Sequence, residues 1–404
     1  IGIIFGLSPD MLATLGTNTY NSIAKYPLIA IPLFILTGIV FERVGVAASL
    51  VTFAQSIIGQ RPGGLTLVAV MVCLIMAGMS GSGPADAAAV AMVMLPSMTK
   101  AGYPRPFSAT MIAAAASTAI LIPPSIALIL YSVMLPGMDL RALFAAGVFP
   151  GFLAAVSILI PCYIIARMRG WEKGAVEKVE RPPFKQSFIK ALPALFAPVI
   201  ILGGLRSGLF TPTEAAAVAV AYGLFIGTVV YRQLTWRSFI DILYEATKLS
   251  GIVLLIIALA GVFAWAGTTL GTFTKIADAM LSISDNSWVL LILIMILVLF
   301  AGMLLDAISI YLILTPVLIP LINHFEWNPI WFGILLAMNI AIGQFTPPVA
   351  INLLVTTKVA NIRLEHTFIW AMLFMLTMFS ALLIVMLFPG IALWLPEYLG
   401  FAVD

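Results

Sequence analysis

Ala77-Gly78-Met79-Ser80-Gly81-Ser82-Gly83-Pro84, with Asp86 just beyond, breaks an otherwise apolar stretch with three glycines, two serines and a proline. Its opening returns 224 residues later as Ala301-Gly302-Met303, which runs into Leu304-Leu305-Asp306-Ala307-Ile308-Ser309. At that one offset Pro96 falls on Pro320 and Pro123-Pro124 on Pro347-Pro348, without a gap. Residues 77–134 and 301–358 share only nine identities in 58 positions, and an alphabet this rich in Ala, Leu and Ile gives several by chance. Chance does not readily align the glycine and the three prolines, which are residues with special backbone behaviour. The aligned breakers argue an internal duplication. Duplicated hydrophobic segments interrupted at matching places point to a secondary transporter whose site lies between two inverted halves.

Composition sets the solvent. Hydrophobic residues make up 62% of the chain and charged residues 9%, and mean hydropathy is +1.14. A soluble domain carries about 25% charged residues, so this is an integral membrane protein. Apolar runs such as 28–41, 144–166, 251–267 and 288–305 have helical length, and no alternating barrel pattern occurs, so the fold is all-α. Cys73 and Cys162 sit alone in apolar runs and read as packing residues, not as a disulfide or metal site. The opening Ile1-Gly2-Ile3-Ile4-Phe5-Gly6-Leu7 is too short to span a bilayer and reads as the end of a truncated first helix, with a cleaved signal peptide as the weaker competing reading.

Charge sets the topology. Seven of the twenty basic residues fall in the long polar loop 167–190, which is therefore expected on the cytoplasmic face. Counting helices outward from it brings Arg61, Lys100, Arg105, Arg232, Lys358 and Arg363 to the same face. The first interrupted segment then enters from the cytoplasm and the second from outside, so the repeats are inverted. Each repeat reads as a spanning helix (26–43 and 249–268), a short amphipathic arm (46–60 and 270–284), a re-entrant hairpin, and a helix broken at Pro-Pro. Further spans are expected over 144–166, 187–204, 213–231 and 367–388. The expected division is scaffold over 1–60, a first transport repeat over 61–134, scaffold with the loop and second arm over 135–286, a second transport repeat over 287–358, and a C-terminal helix and tail over 359–404.

The interruptions carry the chemistry. In hydrocarbon an unsatisfied backbone group costs several kcal/mol, so such a tip survives only against protein or a watery cavity. Paired prolines remove two donors and disfavour helix at the preceding residue, which frees carbonyls near Ile122 and Thr346. Those carbonyls, others near Gly78 and Gly302, the hydroxyls of Ser80, Ser82 and Ser309, and the Asp306 carboxylate are hard oxygen ligands suited to sodium. A helix beginning near Pro84 offers N–H groups and a positive dipole end to an anion. With it, Ser80, Ser82, Asp86, Ser125, Gln344 and Asn352 form the candidate substrate-binding set. Asp306 aligns with Ser82 through the repeat, so the two are expected to face each other across a pseudo-two-fold axis.

Blander roles compete. Small residues let helices pack closely in lipid, single prolines merely kink them, and Asp306 suits an N-cap to 308–320, a role that can coexist with ion binding. Clustering and repetition favour the functional reading. Thr211-Pro212-Thr213-Glu214 reads as a helix start, and His324 and His366 have no metal-ligand partner at useful spacing. No P-loop, HExxH or serine with a plausible base is visible, so the sequence offers no means of hydrolysing ATP or peptide.

The Gly-Met-Ser-Gly-Ser tip with Asp86, Ile122-Pro123-Pro124-Ser125, Ser207-Gly208-Leu209-Phe210-Thr211-Pro212-Thr213-Glu214 and Thr346-Pro347-Pro348 resemble the large membrane subunit of tripartite ATP-independent periplasmic (TRAP) transporters. The likeness covers nearly the whole chain. It implies a sodium-coupled elevator importer of organic acids in the bacterial inner membrane. The implied partners are a small four-helix membrane subunit and a periplasmic substrate-binding protein, with the lipid bilayer as solvent and no nucleic acid. Family members carry C4-dicarboxylates, keto acids and sialic acid, and no residue here separates these. A channel with re-entrant loops and an intramembrane enzyme are the alternatives. A channel filter normally repeats around several subunits, and the enzyme lacks a catalytic pair.

Overall fold

The structure, a computed structural model, describes residues 11, 13–59, 61–135, 137–172 and 182–403. The opening fragment 1–7 and the middle of the basic loop, 173–181, lie outside those residues. Among the described residues all regular structure is helical, and eight helical stretches are long and apolar enough to cross a membrane. This is a multi-pass membrane protein.

The first half runs α1 (Thr14–Ile23), a 3₁₀ turn over Tyr26–Ile29, α2 (Ala30–Arg43), α3 (Val46–Ile58), α4 (Gly64–Ser80), α5 (Gly83–Lys100), α6 (Arg105–Ala116), α7 (Ile126–Met134) and α8 (Leu140–Arg169). Two connecting helices follow, α9 (Phe184–Arg206) and α10 (Pro212–Phe225). The second half runs α11 (Trp236–Thr269), α12 (Thr272–Leu281), α13 (Ser287–Leu304), α14 (Ala307–His324), α15 (Pro329–Gly343), α16 (Ile351–Ala360), α17 (Phe368–Leu387) and α18 (Gly390–Tyr398). Adding 224 to the bounds of α5 gives 307–324, the bounds of α14. Adding it to α8 gives 364–393, which covers a 3₁₀ turn over Leu364–Thr367 and α17. The duplication therefore extends well beyond the stretch where identities align.

Length alone does not mark the hairpins, since α13 and α14 have 18 residues each, roughly 27 Å at 1.5 Å per residue. Contacts mark them. The Met303 carbonyl accepts from Val349 N (3.1 Å) and Ala350 N (3.3 Å), in the gap between α15 and α16. A tip that ends halfway along another crossing is re-entrant. The first tip meets the gap between α6 and α7 in the same manner, at Gly81 against Pro124.

Helices buried on every side mark an interior. All of α15 from Ile330 to Gly343 is buried, as is α6 from Phe107 to Ala116. Around them pack the hairpins, α7, α16, α8, α17 and α18. A second group joins α2 to α10 and α11, and α9 to α10. At one end Arg43 pairs with Glu245 at 2.7 Å, tying α2 to α11. The arms bridge the groups, α3 lying on α4 and α9, and α12 on α14 and α11.

Several boundaries differ from expectation. The helix expected over 249–268 begins at Trp236, because Arg237, Asp241, Glu245 and Lys248 end an apolar run without ending a helix that continues outside hydrocarbon. The first tip was expected to abandon helix at Gly78, yet α4 continues to Ser80 and breaks at Gly81. Helix α8, expected with the scaffold, packs on α4, α6, α15 and α17, among the hairpin elements. The tail folds back as α18 against α8.

Candidate functional site

Gly81 is where the first hairpin turns, at φ +60°. A side chain there would run into the Pro124 carbonyl, so only glycine permits both the left-handed backbone and the approach to the break. Two residues on, a Cβ at Gly83 would stand 2.8 Å from Gln344 Oε1 and 2.9 Å from Asn352 Nδ2. The start of α5 thus touches the break of the other repeat. Asn352 Nδ2 donates to the Ala113 carbonyl at 3.3 Å, and Asn352 N donates to the Gln344 carbonyl at 3.0 Å. The first bond holds the Asn352 amide, and Gln344 Oε1 and Asn352 Oδ1 are buried without a hydrogen bond.

Ser80 and Asp86 form a closed pair on the same hairpin. Ser80 Oγ donates to Asp86 Oδ1 at 2.7 Å and accepts from Ser82 N at 3.2 Å. Asp86 is fully buried, and its Oδ2 has no partner. Ser80 also lies against Gly38 of α2, so this face of the tip abuts the second group of helices. Ser82 is half-buried at the N-cap of α5 without capping it, and Pro84 is in the first turn. First-turn amides of a helix lack intrahelical partners, and the first helical residue here, Gly83, lies beside the Gln344 and Asn352 side chains.

The remaining candidates are engaged locally. Ser125 caps α7, accepting from Leu128 N and donating to the Ile120 carbonyl at 2.6 Å. Thr346 Oγ1 donates to the Ile342 carbonyl at 2.6 Å. Both prolyl pairs are cis. Gly78 packs toward Pro198 and the Pro123 carbonyl, and Ile122 lies against Gly151. Gly302 sits directly on Gly343. Asp306 does cap α14, with Oδ2 accepting from Ile308 N at 3.1 Å and Oδ1 accepting from Ser309 Oγ. Its hydrogen bonds stay within its own helix start. The Met303 carbonyl makes the hydrogen bonds that join this second tip to its break.

Two features escaped the sequence reading. Leu121 and Ile122 sit in a notch on α8 made by Gly147 and Gly151, where side chains would overlap the Leu121 carbonyl and Ile122. The small-xxx-small spacing was the available signal. A cavity of about 510 Å³ lies away from the tips, between α11, α12, α14, the end of α7 and the stretch from Ser22 to Leu28 that precedes α2, lined by Lys25, Trp265, Phe273, Leu312 and Pro316 among others. No tip residue lines it.

Residues 2–391 match the family described as tripartite ATP-independent periplasmic transporter, DctM component. The C4-dicarboxylate TRAP transporter large permease protein DctM of Pseudomonas aeruginosa is 37% identical over 393 residues, 97% of this chain and 91% of that protein. The sialic acid TRAP transporter large permease protein SiaM of Vibrio cholerae is 38% identical over 383 residues, 94% of this chain and 89% of that protein. The isethionate TRAP transporter permease protein DctMQ of Oleidesulfovibrio alaskensis is 36% identical over 375 residues, and the match spans only 59% of its length. In fold, the chain resembles the YdaH transporter of Alcanivorax borkumensis, with a TM-score of 0.64, 16% identity, and coverage of 98% of this chain and 90% of that one. With a family match over residues 2–391 and relatives this similar, the chain belongs to the DctM component of the TRAP transporters, a large permease subunit and not an enzyme.

Proposed function

We propose that this subunit imports an organic acid, driven by sodium, through an elevator movement of the hairpin body against the scaffold. The body comprises the hairpins, the broken helices, α8 and α17, and the scaffold comprises α2, α9, α10 and α11. One observation carries the reading: two unpaired, buried amide oxygens, of Gln344 and Asn352, converge on Gly83 at the start of α5. An orphaned buried acceptor costs about 1–3 kcal/mol unless something donates to it. A hydroxyl-bearing carboxylate supplies both halves, its acid meeting the helix N-terminus and its hydroxyls or a coordinated sodium meeting the amides. The donor set is oxygen throughout, which fits a hard monovalent cation.

The substrate class is a C4-dicarboxylate, a keto acid or a sugar acid such as sialic acid, in keeping with relatives named for C4-dicarboxylate and sialic acid. The working assembly includes a small four-helix membrane subunit and a periplasmic binding protein in the bacterial inner membrane. Reconstitution with a binding protein and a sodium gradient tests the reading. Asp306→Asn retains an N-cap but removes the charge that a sodium ion would use, so uptake should fall about tenfold or more at low sodium with the fold intact. Parent-like sodium-dependent uptake by that variant would remove Asp306 from the site. Efficient uptake of dilute substrate without a binding protein would contradict the partnership.

A further inference from the structure

Glu172 follows α8 with a left-handed backbone, φ +74°, a conformation that non-glycine residues hold at a cost and that is maintained by its surroundings. Those surroundings are specific. The residue is buried, 6% exposed, and its carboxylate accepts from Leu65 N at 3.0 Å and Gly64 N at 3.2 Å, the first amides of α4. The same carboxylate accepts from the Tyr103 hydroxyl at 2.6 Å. Glu172 N donates to the Ala101 carbonyl at 3.0 Å. One residue therefore ties together the root of the first hairpin, the link between α5 and α6, and the end of α8. Burial, and then the neighbouring Glu172 carboxylate, push the Tyr103 phenol up, which keeps it a donor. Trp171 packs at a tilt against Tyr103 and Phe107, with ring centres at 4.9 and 4.8 Å.

The second hairpin has a counterpart at the same repeat position. Tyr103 shifted by 224 is Trp327, and both residues donate their backbone N–H to the preceding helix at 3.0 Å, to Met98 and Ile322 respectively. Trp327 Nε1 donates to Ser287 Oγ at 2.8 Å, at the root of α13. Asn328 beside it caps α15 and donates to the Val403 carbonyl near the chain end. The first root is thus held through a carboxylate, the second directly by an indole.

We infer that Tyr103 with Glu172, and Trp327 with Ser287, are paired clamps that position the two hairpin roots so that each tip stays in register with its broken helix. Neither pair touches the candidate site, so they are positioning residues acting through α4 and α13. The transport consequence rests on the function proposed above. The mechanical one does not, and hydrogen exchange on the full chain in nanodiscs reads it. Tyr103→Phe keeps the ring and removes one charge-assisted bond, so exchange at residues 64–66 should rise about tenfold while 288–290 stay as in the parent. Trp327→Phe should do the reverse. Glu172→Gln should resemble Tyr103→Phe, and their effects should be far from additive in the double variant.

In proteoliposomes with the partner subunits, Tyr103→Phe should raise the sodium concentration for half-maximal uptake several-fold while changing the maximal rate by less than about twofold. Unchanged exchange at 64–66 in both Tyr103→Phe and Glu172→Gln overturns the clamp. Raised exchange with parent-like uptake constants overturns its positioning role. If uptake by the parent chain ignores sodium, the proposed function fails, and the exchange comparison still decides the clamp.

Discussion

Gly83 shows what a missing side chain can do at a transport site. Its backbone is ordinary helix, so the reason for glycine there is space: the atoms nearest a Cβ are Gln344 Oε1 and both amide atoms of Asn352, within 2.8–3.2 Å. Gly83→Ala should therefore overpack the junction by about 1–3 kcal/mol and lower uptake about tenfold or more, since a methyl fills the place proposed for the ligand. Gly203→Ala, with nothing within 4 Å of its Cβ, is the control. Parent-like uptake by Gly83→Ala would show that the space is unused. At this scale the sequence named the residues but not their partners. Asp306 as N-cap was legible because the bond spans two residues. The Asn352 bond to Ala113 spans 239, and no local pattern announces it.

Among the elements, α8 departs furthest from expectation. Its apolar run was plain in the sequence, but a run does not say which body it joins. Gly147 and Gly151 decide that, letting the break between α6 and α7 sit directly on the helix. Gly147→Ala would press a methyl onto the Leu121 carbonyl, which is backbone and cannot rotate away. Unfolding in detergent should show a loss of about 1–3 kcal/mol, and stability equal to that of Gly203→Ala would mean the notch is not tight. Where the signal was local, the element was read correctly. Thr211 Oγ1 accepts from Glu214 N at 3.3 Å while Glu214 Oε2 accepts from Thr211 N at 2.7 Å, the reciprocal cap that opens α10.

For the whole molecule, the proposed elevator requires the tips to meet each side of the membrane in turn. Ser82 suits a reporter, because it is half-buried at the first tip, whereas the native Cys73 and Cys162 are fully buried. Ser82→Cys, with both native cysteines removed, should react with an impermeant reagent from outside in one state and from the cytoplasmic side when the sodium gradient is reversed. Labelling from one side under every condition would sink the elevator and favour a fixed re-entrant loop. The sequence by itself determined the membrane class, the two-fold repeat and its breakers, because hydropathy, periodicity and backbone-restricted residues are properties of the chain read locally. Only the tertiary structure decided that the first tip opens onto the second repeat's break, that α8 packs on the hairpin elements, and that Glu172 reaches a hairpin root. The first and the last depend on surfaces brought together from more than a hundred residues apart, and all three on close packing, which selects partners by shape and unpaired polar atoms, neither of which composition records.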